Sequence, residues 1–262
     1  MKIFFSKPIF KNIWLFNMKN DYLIIIPARY KSKRLPGKPL IKILGVPMLI
    51  RTYNQCRKVV DKKKIIVATD DKRICHLCKK YKIKYILTSK KCLTGTDRVA
   101  EVSKKIKAKI YINVQGDEPI CNPKDLKKLI FCANKYPNEI INGYCKIKDK
   151  KSYHNRQIPK IVFSKDGYLL YMSRGPIPNN KKNNFQKAWR QVCIYSLPEK
   201  ALKIFREQKK KTQLEKIEDL ELLRFCELGI KVRMISMSNK SVAVDSKKDI
   251  KIVENILKQK KA

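Results

Sequence analysis

No apolar run in the 262-residue sequence approaches the ~20 residues that a membrane-spanning helix requires, so hydropathy excludes helical insertion into a bilayer. The first 17 residues, MKIFFSKPIFKNIWLFN, are basic and aromatic but lack the continuous apolar core and small-residue cleavage site of a secretory signal. They read as an extension without an assigned role, and Met18 stands just before the first strand-like stretch. A disulfide framework is also missing: the nine cysteines are odd in number and irregularly spaced, which favours a reducing, cytoplasmic setting. Cys75 and Cys78 form the one close pair. They lie in a helix-like segment without the second cluster that a zinc or redox centre needs, and so read as part-buried thiols. Acidic residues number 22 against 62 lysines and arginines, a net charge of +40. Such a balance suggests anionic partners, but only 12 of the basic residues are arginine and the lysines are scattered through every segment. The arginine- and aromatic-rich stripe of a dedicated nucleic-acid surface is absent. Neither nucleic acid nor membrane is therefore expected as a partner, and the charge is read as drawing in small anionic substrates.

What the chain does contain is an alternation of short apolar runs with amphipathic segments, which predicts an α/β fold with a substantial core. It is organised around residues 22–40, YLIIIPARYKSKRLPGKPL. The apolar run 23–26 suits a strand buried on both faces, and Pro27 is expected to end its hydrogen bonding. A loop follows with Arg29, Lys31, Lys33, Arg34 and Lys38 around Gly37. A buried strand running into a basic, glycine-containing turn is how open α/β sheets hold phosphates beyond their strand ends. On spacing alone, a solvated basic loop fits equally well.

Residues 47–60 fit a helix, and 65–69 a second buried strand ending in Asp70-Asp71, which can cap a helix over 72–81. A third short strand is expected over 84–87. In 94–102, TGTDRVAEV, Thr94 or Thr96 is the expected helix cap, with Asp97 in the first turn. Residues 110–114 form a further strand ending in Gln115-Gly116-Asp117-Glu118-Pro119. A carboxylate at the carboxyl end of a buried strand suits Mg²⁺, which takes one or two carboxylates plus phosphates and water. Asp117 also suits capping of the helix that opens at Pro123. From 140 to about 213 the alternation gives way to hairpin signals, with strands over 160–163 and 168–172 flanking Lys165-Asp166-Gly167. Another strand spans 190–196, and Pro198 opens a helix. Residues 214–228 read as one helix, apolar at 214, 217, 220, 223 and 228 and stopped by Gly229. A strand over 230–237 follows, then a strand-like 242–244 that ends in Asp245, a candidate cap for the last helix.

Five stretches in fixed order, IIIPARYKSKRLPGKPL (24–40), IIVATDD (65–71), TGTDRVAEV (94–102), INVQGDEPI (112–120) and LEKIEDLELLR (214–224), resemble the sugar-activating cytidylyltransferases. The family most closely resembled is 3-deoxy-manno-octulosonate cytidylyltransferase (CMP-KDO synthetase), from Tyr22 to the chain end. The resemblance implies a mostly parallel, Rossmann-like nucleotidyltransferase sheet with helices on both faces, built from 18–139 and 214–262. It also implies an inserted smaller α+β lobe over 140–213 that covers the sugar and forms a homodimer. The implied reaction transfers CMP from CTP to the anomeric hydroxyl of KDO, releasing pyrophosphate, for lipopolysaccharide biosynthesis, with Mg²⁺ as cofactor. Carried over by position, Arg29, Arg34 and Lys38 hold the triphosphate, Ala28, Arg98 and Gln115 lie on the nucleotide side, and Asp117 and Asp245 hold the metal. Lys160, Arg174, Gln191 and Glu221 fall on the sugar side, with Arg174 as partner of the sugar carboxylate. Catalysis is expected to rest on Arg29, Lys38, Asp117 and Asp245, and no side chain stands out as an obligatory general base.

Four positions depart from the family pattern: Gln191 replaces a histidine, Cys193 a glycine, Leu222 a glutamine and Ala243 a glycine. The triphosphate and metal positions are intact while the sugar-facing ones have drifted. Glutamine keeps a hydrogen bond but cannot titrate near neutrality, and leucine offers none. The alternatives are transfer to another acidic sugar such as sialic acid, a silent relative, or a basic nucleic-acid-binding protein on an α/β scaffold.

Overall fold

The structure is a computed structural model that describes residues 21–32 and 34–259, so the 1–17 extension and Lys33 of the basic loop lie outside the described residues. Three strands form the buried centre: β1 (Tyr22–Ala28), β4 (Ile65–Thr69) and β6 (Ile110–Val114). All have nearly continuous apolar sequences because both faces are covered. A minor hairpin, β2 (Lys42–Ile43) with β3 (Val46–Pro47), lies off the sheet. The main sheet runs β11-β7-β10-β6-β1-β4-β5, with β5 (Tyr85–Leu87), β7 (Ile140–Lys146), β10 (Trp189–Pro198) and β11 (Val232–Ser236) completing the order. Strands β8 (Lys160–Phe163) and β9 (Leu169–Ser173) branch from it, β8 pairing with both β10 and β9. Within the main order only β10 runs against its neighbours, antiparallel to β6 and β7.

Alternate side chains of β1 point to opposite faces, dividing the core in two. Ile24 and Ile26 join a cluster with Leu49 of α1 (Met48–Arg57), Ile74 of α2 (Lys72–Lys80) and Leu126 of α4 (Pro123–Lys135). Ile25 joins a second cluster with Val99 of α3 (Gly95–Lys105) and Phe205 of α6 (Glu199–Glu207). Helix α5 (Lys150–His154) packs Tyr153 in a small separate cluster, and α9 (Lys247–Gln259) closes a third core patch through Val253. No helix among the described residues is long and apolar enough to cross a membrane.

Several expectations are corrected. Pro27 does not end the strand: β1 continues in register through Pro27 and Ala28, opposite Ala68 and Thr69. Residues 140–213 do more than form an appended lobe, because β7 and β10 from this stretch are strands of the main sheet itself. The segment 242–244 is not a strand, although the Val244 amide donates to the Asp117 carbonyl at 3.0 Å.

The single helix expected over 214–228 is two helices, α7 (Gln213–Glu218) and α8 (Leu222–Glu227), separated by Asp219 in a left-handed conformation (φ 51°). Arg174 makes the break, donating from Nε to the Glu218 carbonyl at 2.7 Å and from Nη2 to that of Asp219 at 3.0 Å. Those are acceptors a continuous helix would use internally. The apolar spacing is the same either way, so periodicity could not reveal the break.

Candidate functional site

A cavity of about 1250 Å³ opens beyond the carboxyl ends of β1 and β6, and residues from the basic loop, α3, β10 and the α7–α8 break line it. Its position is the one that open α/β sheets use for ligands. At its centre Lys38 Nζ donates to Asp117 Oδ2 at 2.8 Å and to Asp245 Oδ1 at 2.9 Å, and Arg34 Nη2 reaches the same Asp245 oxygen at 3.0 Å. Burial alone would lower the Lys38 pKa, but the two carboxylates outweigh it and hold the ammonium above its ordinary value.

Local structure explains how the acids meet. Gly116 brings the end of β6 against β1 so closely that an added Cβ would lie 2.8 Å from the Pro27 carbonyl oxygen. The Val244–Asp117 backbone bond then draws the segment carrying Asp245 alongside. Neither acid is needed as a cap: Asn122 caps α4, and Asp249 accepts the amides of Asp245 and Ser246 at the start of α9. The capping readings of Asp117 and Asp245 are therefore replaced by one shared polar centre.

Glu118, next in sequence, is buried with Oε2 lacking any hydrogen bond; burial and then Asp117 push its carboxyl up to about 8. The two aspartates suit a hard cation, since Mg²⁺ takes one or two carboxylates. Among the described residues no set of three or more Asp, Glu, His or Cys is grouped to cage one, so phosphate and water oxygens would complete the shell.

Ala28 and Arg29 line the cavity at the end of β1, and Gly37 closes the loop in a left-handed conformation, its amide donating to the Tyr30 carbonyl at 3.1 Å. Arg98 reaches the cavity wall, but its guanidinium is engaged: Nη2 pairs with Asp70 Oδ2 at 2.7 Å and Nη1 donates to Thr88 Oγ1 at 2.7 Å. These bonds tie α3 to the end of β4 and fix the side chain expected to contact the nucleotide.

Thr94 caps α3 in a capping box with Asp97. The neighbouring Thr96 amide donates at 3.0 Å to Glu221, which also accepts from Gln115 Nε2 at 3.0 Å. Burial raises the Glu221 pKa against the pull of that amide.

On the opposite wall, Arg174 lines the cavity while bonding carbonyls of the α7–α8 break. Lys160 does not face the cavity. It is fully buried, and its ammonium donates to the carbonyls of Asn155 at 2.9 Å and Arg174 at 2.6 Å, which supports the Arg174 segment.

Gln191 is oriented by a chain of amides. Asn142 Nδ2 donates to the carbonyls of Val192 and Ile194 across the β10 bulge, which leaves its Oδ1 to accept from Gln191 Nε2. Gln191 Nε2 also donates to the Tyr195 hydroxyl, so its Oε1 remains as the acceptor at the cavity wall. Sequence reasoning passed over Glu118 and Tyr195, read Asp70 only as a helix cap, and noted Cys193 as a departure from the family pattern. Glu118 alone had a local signal, its place directly after Asp117.

The cytidylyltransferase family model matches residues 23–248. A 3-deoxy-manno-octulosonate cytidylyltransferase from Thermodesulfovibrio yellowstonii is 36% identical over 254 residues, covering 90% of this chain and 97% of that protein. The Escherichia coli protein of the same name is 33% identical over 240 residues, covering 92% and 97%. The structure of a CMP:2-keto-3-deoxy-manno-octonic acid synthetase complexed with CTP superposes with a TM-score of 0.83 at 32% identity, covering 92% of this chain and all of that one. A 4-diphosphocytidyl-2C-methyl-D-erythritol synthase structure from Anaerococcus prevotii, 16% identical with a TM-score of 0.62, shares the fold. A family model over most of its length and relatives matched along nearly their whole chains show that this chain belongs to the cytidylyltransferase family, among the 3-deoxy-manno-octulosonate cytidylyltransferases.

Proposed function

We propose that the cavity binds CTP and KDO and transfers CMP to the anomeric hydroxyl of the sugar, giving CMP-KDO and pyrophosphate. The observation that carries this reading is the meeting of Asp117 and Asp245 on Lys38 beside a basic loop, in a cavity large enough for two substrates. In the reaction an oxygen of the sugar forms the new bond to the α-phosphorus, the bond to the β-phosphate oxygen breaks, and the hydroxyl proton leaves to solvent. Arg29, Arg34 and Lys38, which line the cavity, would hold the triphosphate and balance the charge that grows on the departing pyrophosphate. Gln115 and Ala28 border the nucleotide side, while Arg174, Gln191 and Glu221 border the sugar side.

Asp117 and Asp245 would hold Mg²⁺. When bound there, the ion supplies charge neutralisation at phosphate oxygens and acidifies a nearby hydroxyl. Lys38 pairs with both of these carboxylates. Two further features belong to the same reading. Nine free cysteines support a reducing, cytoplasmic setting for a step of lipopolysaccharide biosynthesis. A homodimer belongs to the reading through the family resemblance.

The test is pyrophosphate release with CTP, Mg²⁺ and KDO, omitting each in turn and substituting sialic acid for KDO. Turnover that needs all three and prefers KDO is expected. Equal turnover with sialic acid would reassign the sugar, and no release under any condition would overturn the transferase reading.

A further inference from the structure

We propose that Arg73 is a positioning residue for the phosphate-side loop, acting through a stack on Tyr30. The basic loop between Arg29 and Lys38 must present several cations in one arrangement, and Tyr30 is its internal post. The Tyr30 carbonyl accepts the Gly37 amide at 3.1 Å, and its ring lies so close to Gly37 that an added Cβ would meet ring atoms at 3.3 Å. The guanidinium of Arg73, from the first turn of α2, stands 3.2 Å from the centroid of the same ring.

Arg73 is itself fixed. Its Nε and Nη2 donate to the two oxygens of Asp71 at 2.9 and 2.7 Å, a bidentate pair, and Asp71 also accepts the Arg73 amide as cap of α2. The Asp71 amide in turn donates to Thr69 Oγ1 at 3.3 Å, at the end of β4. A continuous set of contacts thus runs from the sheet through Asp71 and Arg73 to the Tyr30 ring and the loop. Because Asp71 neutralises Arg73, the guanidinium acts by geometry and not as another phosphate ligand. A loop held in its binding arrangement before the ligand arrives loses less conformational freedom on binding, which favours affinity for the triphosphate and not for the sugar.

This inference rests on the CTP reading above, and its test separates the two. Purified full-length Arg73→Ala and Tyr30→Ala are each expected to raise KM for CTP by about three- to ten-fold, with kcat, KM for KDO and the melting temperature nearly unchanged. Tyr30→Phe, which keeps the ring, is expected to behave as wild type, and the double variant Arg73→Ala/Tyr30→Ala no worse than the poorer single. An unchanged KM for CTP in Arg73→Ala, equal rises for both substrates, or fully additive losses would overturn the proposal. Tryptic cleavage after Lys31 and Arg34, read by mass spectrometry, gives a measurement independent of turnover. Cleavage is expected to be faster in both alanine variants and unchanged in Tyr30→Phe. If wild type failed to turn over CTP, the functional reading would fall, and unchanged cleavage in the alanine variants would then overturn the clamp separately.

Discussion

Asp117 and Asp245 are joined by one ammonium, Lys38 Nζ lying 2.8 Å from the first and 2.9 Å from the second. Removing one negative charge without changing volume separates metal binding from folding. Asp117→Asn and Asp245→Asn are each expected to lower kcat by about 100-fold or more while leaving the melting temperature nearly unchanged. Pyrophosphate release at rising Mg²⁺, alongside thermal melts, checks this. Chelation by EDTA is expected to stop wild-type turnover, and Mg²⁺ to restore it.

Lys38→Ala acts differently, since it removes a cation from the phosphate side. KM for CTP is expected to rise about ten-fold or more, well beyond any change in KM for KDO. Steady-state kinetics with each substrate varied in turn measure the two values, and equal losses would count against the triphosphate assignment.

Gly116→Ala tests the close approach of β6 to β1. The added methyl would sit 2.8 Å from a main-chain oxygen, so the backbone must move, and Asp117 moves with it. A stability loss of about 1–3 kcal/mol is expected in denaturant titration, together with a fall in kcat.

Arg224 is fully buried and pairs with fully buried Glu215 through Nε at 2.6 Å and Nη2 at 2.7 Å. It also reaches Asp97 at 3.1 Å and stacks on Phe205, bracing α8 against α3 and α6. Arg224→Leu strands the Glu215 charge and is expected to cost about 3–5 kcal/mol. Arg224→Leu/Glu215→Leu, which removes both charges, is expected to recover most of that loss. Urea titration of the two variants makes the comparison.

Lys160 supplies a pH dependence. Burial, followed by the nearby Arg174 charge, lowers its pKa from 10.5 to about 8. Between those values the unfolded chain holds more protons than the folded one, so this residue's contribution makes stability rise with pH across that window. Below the folded value the penalty for burying the charged form is present in full. Relative to Lys160→Met, wild type is expected to gain up to about 1.4 kcal/mol per pH unit between pH 8 and 10, read from denaturation midpoints.

The central strands and the cap of α3 were legible because each depends on local chemistry. Four consecutive apolar residues at 23–26 can only be satisfied between two layers, and Thr94 with Asp97 spells its own cap. The meeting of Asp117 with Asp245 was legible through family resemblance, not spacing. What could not be read were features set by distant partners. Arg174 breaks the helix near residue 219 by taking its carbonyls, Asp70 captures Arg98, and backbone carbonyls bury the Lys160 ammonium. In each case spacing within one segment does not reveal which groups satisfy the charged side chain.

The reversed direction of β10 has a consequence for how this protein can change. In a sheet whose members all ran one way, every wall of the cavity would come from turns that follow strands. Here the beginning of β10 faces the ends of β1 and β6, so Arg190, Gln191 and Cys193 reach the cavity from a separate stretch of chain. Substitutions there can reshape the acceptor side while the cation-rich loop and its paired acids stay as they are. The departures at 191 and 193 fall on that replaceable wall.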